Sequence, residues 1–267
     1  MLYIVATPIG NLKDISLRAL EVLKEADEIA CEDTRHTLKL LNFYEIKKPL
    51  FSYHKFNENS ACEKLLTKLS EGKNIALVSD AGTPVISDPG NILIKKLVEN
   101  NIKYTVIPGA CALVNGLVLS GFNSARFIFL GFLPKDNKKR SEILNNYSKA
   151  ADTLIFYVSP HSYKKDISDI YKIFGERRAA IVREISKIHE EAVFLNLSDD
   201  IKELLGEMVL IVEGAEQTEN PLNGLSVEEH FDYYINSGFS KMQAVKAVAK
   251  DRNVNKNEIY MKVVGKR

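Results

Sequence analysis

Ile75-Ala76-Leu77-Val78-Ser79-Asp80-Ala81-Gly82-Thr83-Pro84-Val85-Ile86-Ser87-Asp88-Pro89-Gly90 reads as a short apolar strand that ends in a long loop of small and polar residues. A continuous apolar run bounded by turn formers is the pattern of a strand buried on both faces, as in a parallel sheet. In open α/β sheets ligands bind at the carboxyl ends of strands, and a loop of small residues lets main-chain amides and carbonyls approach a flat ligand closely. The plainer reading is a tight connection with Asp88 capping the next helix. Against it, residues 79–90 hold two Asp, two Gly, two Pro, two Ser and a Thr, whereas ordinary connections run to about 4–6 residues in all.

The same design recurs on either side. Pro108-Gly109-Ala110-Cys111-Ala112 follows an apolar run at residues 104–107, and Thr7-Pro8-Ile9-Gly10-Asn11-Leu12 follows one at residues 2–6. Three such loops predict one shared crevice. Neither G-x-G-x-x-G after a strand nor G-x-x-x-x-G-K-[ST] occurs, so the expected ligand is a nucleoside without a polyphosphate.

Between these runs, Leu17, Leu20, Val22, Leu23 and Ala26 recur at helical spacing behind a Ser16 cap, and Ala61, Leu65, Leu66 and Leu69 do so before Gly72. With a further strand at residues 127–130, the alternation predicts an α/β fold with a largely parallel sheet. Residues 131–140, with Pro134 and a run of charge, read as a linker. A second block has strands at residues 153–158, 179–182 and 209–212 and a helix through Ile167 and Ile170; imperfect alternation over residues 191–197 suggests an antiparallel strand in a mixed sheet. Helical patterns at residues 227–235 and 242–249, then residues 256–263, suggest a helix-turn-helix-like tail. The expected division is residues 1–131, 132–217 and 225–267.

Length and charge agree with two small domains and a tail. Across 267 residues, 36 Lys and Arg face 35 Asp and Glu, a net charge of +1 that gives no whole-chain sign of a polyanionic partner. The charge is uneven, however: from Asn236 onward eight Lys or Arg face only Asp251 and Glu258. Cys31, Cys62 and Cys111 fit neither a disulfide framework nor a zinc knuckle, which predicts a reducing, cytoplasmic setting. The first residues lack the basic stretch of a signal peptide, and no apolar run reaches the roughly 18 residues of a membrane helix.

Four polar clusters remain. Glu32-Asp33-Thr34-Arg35 suits a helix cap with an ion pair as well as a site; Tyr53-His54-Lys55-Phe56-Asn57-Glu58-Asn59 offers a histidine beside amides. Phe156-Tyr157-Val158-Ser159-Pro160-His161 and Arg183-Glu184-Ile185-Ser186-Lys187 each follow a strand, where surface salt bridging is the plain alternative.

Together, VATPIGNLKDIS (residues 5–16), EDTR (32–35), SYHKFNE (52–58), VSDAGTPVISDPG (78–90) and GFLPK (131–135) resemble the 16S rRNA cytidine 2'-O-methyltransferases of the tetrapyrrole methylase superfamily. The resemblance implies a two-domain class III methyltransferase fold with a small helical appendage, usually a homodimer, holding S-adenosyl-L-methionine in a cleft. By position it implies cofactor contacts at Pro8, Asp80, Ala81, Gly82, Thr83, Ile86, Ser87, Ala110, Cys111, Phe156, Tyr157, Val158 and Glu213. The implied activity is 2'-O-methylation of a decoding-region cytidine in 16S rRNA of the small ribosomal subunit. Such chemistry needs an oriented ribose hydroxyl and a proton acceptor, and no metal. Candidates are Glu32, Asp33 and Glu184, with Arg35 and Lys187 to bind phosphate or bias the acids. The chain departs from the family's usual FYESPHR by Val158 and Ser162, from AEDTR by Cys31, and from PGPSA by Ala110 and Cys111. Two rivals stay open: a methyltransferase for a tetrapyrrole, and a non-catalytic RNA-binding or assembly protein.

Overall fold

A computed structural model describes residues 1–216, 221–252 and 254–265. It forms two compact units, Met1–Ala215 and Glu216–Arg267. The expected limit at residue 217 lies outside the described residues, as do residues 253, 266 and 267 of the expected tail.

The first unit opens with β1 (Leu2–Val5), α1 (Leu17–Glu25), β2 (Glu28–Cys31), α2 (Thr34–Phe43), β3 (Leu50–Ser52), α3 (Glu58–Ser70), β4 (Ile75–Val78), α4 (Asn91–Glu99), β5 (Tyr104–Ile107) and α5 (Ala112–Ser120). The strands make one parallel sheet in the order β3-β2-β4-β1-β5. Alternation along each strand sends Leu2, Ile4, Ala30, Ile75 and Leu77 to one face, where Leu65, Leu69, Leu93 and Leu97 of α3 and α4 cover them. Val5, Ile29, Cys31, Ala76 and Val78 face the other way, against Ala19, Leu23 and Leu41 of α1 and α2. Burial on both faces explains why the inner strands β1 and β4 read as continuous apolar runs. As expected, Ser16 caps α1, its Oγ accepting the Ala19 N–H at 3.1 Å.

A second sheet follows. Its elements are β6 (Phe127–Phe132), α6 (Asn137–Tyr147), β7 (Thr153–Val158), α7 (Tyr163–Phe174), β8 (Arg178–Arg183), β9 (Glu191–Asn196) and β10 (Met208–Val212), in the order β6-β7-β10-β8-β9. Only β6 and β7 are parallel; β10 runs against both β7 and β8, and β9 against β8. Two expectations are corrected here. Residues 127–130 were expected to belong to the first block, but β6 pairs with β7 and opens the second sheet. Residues 131–140 are also no linker: β6 runs to Phe132, and the charged run folds into α6. There Arg140, 5% exposed, pairs with Asp166 at 2.8 Å and Asp169 at 2.9 Å on α7.

One face of the second sheet packs on α6 and α7 through Leu144, Phe156, Ile167, Ile170, Ile181 and Leu210. The other is covered by α5 through Leu113 and Leu117 against Ile155, Val182, Val209 and Ile211. A Cβ at Gly116 of α5 would lie 3.1 Å from Val209 Cβ, so glycine permits this close helix–sheet approach. Helix α5 thus continues the first sheet's chain directly onto the second sheet's face, which makes the two sheets one compact unit.

In the second unit, α8 (Val227–Asn236), α9 (Lys241–Asp251) and α10 (Lys256–Val263) enclose Phe231, Val245, Val248 and Ile259. Ser226 and Glu229 form a reciprocal capping box at α8. Buried His230 lies 3.2 Å from Asp251 and accepts the Arg252 Nε–H at 3.1 Å. Among the described residues no helix is long and apolar enough to cross a membrane.

Candidate functional site

Because β1, β2, β3 and β4 are parallel neighbours, the loops after all four emerge on one edge of the sheet. The loop after β1 is tied to the loop after β4 by paired backbone hydrogen bonds between Thr7 and Gly82, at 2.8 and 3.0 Å. The Thr7 hydroxyl donates to the Ser79 carbonyl at 3.2 Å, and the Thr83 hydroxyl donates to the Ala110 carbonyl at 3.2 Å. Gly82 has φ +79°, and a Cβ there would meet Ile9 Cγ2 at 3.3 Å. Val85 and Ser87 hold φ of 76° and 65°, a region L-residues rarely adopt. Strain of this kind persists where surrounding structure over-determines it. Here Glu58 helps: its Oε1 accepts the Gly90 N–H at 2.8 Å and the Tyr53 hydroxyl at 3.1 Å. The plainer reading of the loop, an Asp88 cap, is not what forms; Gly90 holds the cap position before α4 and no side chain caps the helix.

These loops and the second sheet enclose a cavity of about 340 Å³. Of the residues expected to touch a cofactor, Asp80, Ala81, Gly82, Thr83, Ile86, Ser87, Cys111, Tyr157 and Val158 line it, and Pro8 and Ala110 adjoin the lining residues Ile9 and Cys111. Two others are not among the lining residues. The Phe156 side chain is fully buried on the α6–α7 face of the second sheet, since its neighbour Tyr157 takes the cavity side. Glu213 follows the far end of β10, where it pairs with Arg178. Because β10 is antiparallel, its first residue, Met208, sits beside Val158 at the cavity, and Glu213 lies five residues, roughly 17 Å, along the strand.

Residues not singled out from sequence complete the wall: Asp88, Phe132, Ile185, Glu207, Met208 and Val209 among them. Asp88 was inside the loop quoted above and Phe132 inside GFLPK, so both had a signal. Glu207 and Met208 had none, because strand direction within a mixed sheet is not written locally. The Tyr157 ring packs edge-on to Phe129 at 4.9 Å, and burial pushes its hydroxyl up to about 12, so it stays a proton donor at neutral pH.

The proposed acids separate into three situations. Burial first, and then the charges of Asp88 and Asp80, push the Glu32 carboxyl above its ordinary value, with His54 pulling the other way. Asp88 is raised for the same reason, burial first, although a Ser79 hydrogen bond opposes it. Glu32 is not itself a lining residue; it follows β2 and shares an acidic neighbourhood with the lining residues Asp80 and Asp88. Asp33 is engaged elsewhere. It caps α2 by accepting the Arg35 N–H at 2.8 Å, and the Arg35 guanidinium grips both carboxylate oxygens, which holds the carboxyl well below the usual range. Its own N–H donates to Asp80 Oδ1 at 3.1 Å, so Asp33 orients Asp80 and is a poor proton acceptor.

Glu184 and Lys187 lie in the turn after β8, flanking the lining residue Ile185 without lining the cavity themselves. Lys187 Nζ is 3.0 Å from Glu184 and 2.9 Å from Glu207. Burial alone would raise the Glu184 carboxyl, but hydrogen bonds from Lys187 and the Glu207 N–H hold it low; Lys187 is correspondingly raised against its own burial. A Cβ at Gly10 would come within 2.6 Å of the Ile185 carbonyl oxygen and of Lys187 Cγ. The loop after β1 therefore rests directly on this turn, and the Ser186 hydroxyl bonds Asp14.

Residues 1–200 match the family described as Tetrapyrrole (Corrin/Porphyrin) Methylases. The chain is 44% identical to the ribosomal RNA small subunit methyltransferase I of Halalkalibacterium halodurans, over 97% of this chain and 93% of that protein. It is 41% identical to the protein of the same name from Bacillus subtilis, over 97% and 92%. Its fold is similar to that of uroporphyrin-III C-methyltransferase from Thermus thermophilus, crystallised with S-adenyl homocysteine, with a TM-score of 0.58 and 15% identity over 79% of this chain and 96% of that one.

Proposed function

The chain belongs to the ribosomal RNA small subunit methyltransferase I family of the tetrapyrrole methylases, and from that premise we propose that it methylates the 2'-oxygen of a decoding-region cytidine in 16S rRNA. The observation that carries the reading is the cavity between the loops of the first sheet and the second sheet, with Glu32 sharing the acidic neighbourhood of its lining residues Asp80 and Asp88.

The residues present fit S-adenosylmethionine. Ile9, Ile86, Val158, Met208 and Val209 offer apolar walls for a nucleoside, and Gly82 keeps main chain where a side chain would intrude. Asp80 and Asp88 place negative charge beside a cationic ligand. When bound, the cofactor supplies a methyl group already activated for displacement. The protein's task is then to fix the ribose oxygen in line and to take its proton. Glu32 is the proposed acceptor, since a raised carboxyl is the stronger base. Arg35, which pairs with Asp33 while its side chain stays 87% exposed, is the proposed phosphate contact; Glu184 and Lys187 are proposed to hold the second sheet's turn against the loop after β1. The test is transfer of a labelled methyl group from S-adenosylmethionine to small subunits that lack the modification.

The basic tail at residues 225–267 supplies sequence-independent attraction to RNA in this reading, which weakens with salt, and the protein acts in the cytoplasm as a homodimer. Support for the dimer comes from apolar side chains left open on the edge strand β5 (Tyr104, Val106) and on α5 (Val114, Val118). Val118 is 69% exposed. Val118→Asp is therefore expected to leave the fold intact and convert the dimer to monomer, read by light scattering of the eluting protein.

A further inference from the structure

The loops after β1, β2 and β4 are occupied by the proposed function, but the loop after β3 carries a side chain without a task. Phe56 is 95% exposed. Its loop is nonetheless closely bonded: the His54 N–H donates to Asn57 Oδ1 at 2.8 Å, Asn57 Nδ2 donates to the Ser52 carbonyl at 3.0 Å, and the Asn57 N–H returns to the His54 carbonyl at 3.0 Å. Buried Tyr53 anchors the turn through Glu58, the residue that also holds Gly90 of the cavity loop. The His54 ring stands edge-on at 6.1 Å and covers little of the phenyl face. The ring is thus presented by a built turn, and β3 is the immediate neighbour of β2, whose carboxyl end carries Glu32. Adjacent strands are about 4.8 Å apart. Lys55 beside it is exposed, and so is Arg35 after β2.

We infer that Phe56 is the platform on which an unpaired base of the RNA substrate stacks, seating the strand whose ribose reaches Glu32, while Lys55 and Arg35 meet its phosphates. This rests on the functional reading above. An open aromatic face flanked by cations suits single-stranded nucleic acid, because every base has a π-face and recognition of RNA sequence targets splayed, unpaired nucleotides. A contact with an apolar protein surface would need only bulk, which is how the two are separated.

Phe56→Ala is expected to raise KM for small subunits lacking the modification by roughly ten- to hundred-fold, the usual loss for one stacking platform. The Kd for S-adenosylmethionine is expected to stay unchanged. Phe56→Tyr and Phe56→Trp should restore KM, and Phe56→Leu should not. The chain contains no Trp, so Phe56→Trp has a single indole whose fluorescence should be quenched by a short oligocytidylate. Wild-type KM in the Ala variant, rescue by Leu, or an indole unaffected by the oligonucleotide would each overturn the inference. Wild-type protein that transfers no methyl group to small subunits would instead overturn the functional reading, and the indole titration judges stacking independently of turnover.

Discussion

Glu32→Gln is expected to lower kcat for methyl transfer by about 10²–10⁴-fold, the range for removing a positioned proton acceptor, with little change in the Kd for S-adenosylmethionine. The amide keeps the volume and loses only the ability to take a proton. The pH profile gives the sign. A base works when deprotonated, so the wild-type rate should rise as pH climbs through the Glu32 carboxyl's value, which burial and the Asp88 and Asp80 charges place above the ordinary one, and then level off. The Gln variant should lose that limb. Full kcat in Glu32→Gln would remove Glu32 from the chemistry.

The largest expected loss of stability is at Arg140. Arg140→Met leaves Asp166, 3% exposed, without its cation and Asp169 with only Lys172 at 3.5 Å, and deletes the Arg140 Nε–H donated to the Pro134 carbonyl at 3.0 Å. Breaking a buried ion pair from one side costs about 3–5 kcal/mol. For a unit of this size each kcal/mol moves Tm by about 2–4 °C, so a fall of roughly 6–20 °C is expected in thermal unfolding. Replacing Arg140, Asp166 and Asp169 together with apolar residues should recover much of it, because the penalty lies in uncompensated charge. A single Arg140→Met variant that melts with the wild type would contradict the assignment of this pair as a core feature.

Much of the fold was legible because its signals are local. Residues 75–78 and the loop after them identified a buried parallel strand with a binding edge, and the small-residue loops after β1 and β5 converge with it as expected. Strands β2 and β3 were missed as strands because β2 opens on the charged Glu28 and leaves only Ile29, Ala30 and Cys31 as an apolar run, and β3 is three residues long and ends on Ser52. Arg140 sat in a run of charge that looks solvated, yet its carboxylate partners lie a helix away in sequence. The exchange of Glu213 for Glu207 has a similar cause. Both flank the same apolar strand, and which end reaches the cavity depends on β10 running against β7 and β8. Phe156 and Tyr157 were both included from a motif, whereas the strand's alternation admits only one to the cavity face. The acids show the same limit: EDTR announces a cap locally, and Asp33 is that cap, but the role of Glu32 depends on Asp88, far along the chain and close only after folding.

The even net charge concealed a similar distinction. It describes the average surface, whereas the proposed RNA substrate would need only one face, the one to which we assign Phe56, Lys55 and Arg35, with the basic tail proposed to add attraction without reading sequence.

The most direct test supplies the protein with labelled S-adenosylmethionine and small ribosomal subunits lacking the modification, then digests the 16S rRNA and maps the label. The account predicts one labelled nucleotide, a decoding-region cytidine carrying the methyl group on its 2'-oxygen. Label on a base, transfer to a tetrapyrrole instead of RNA, or no transfer at all would contradict it.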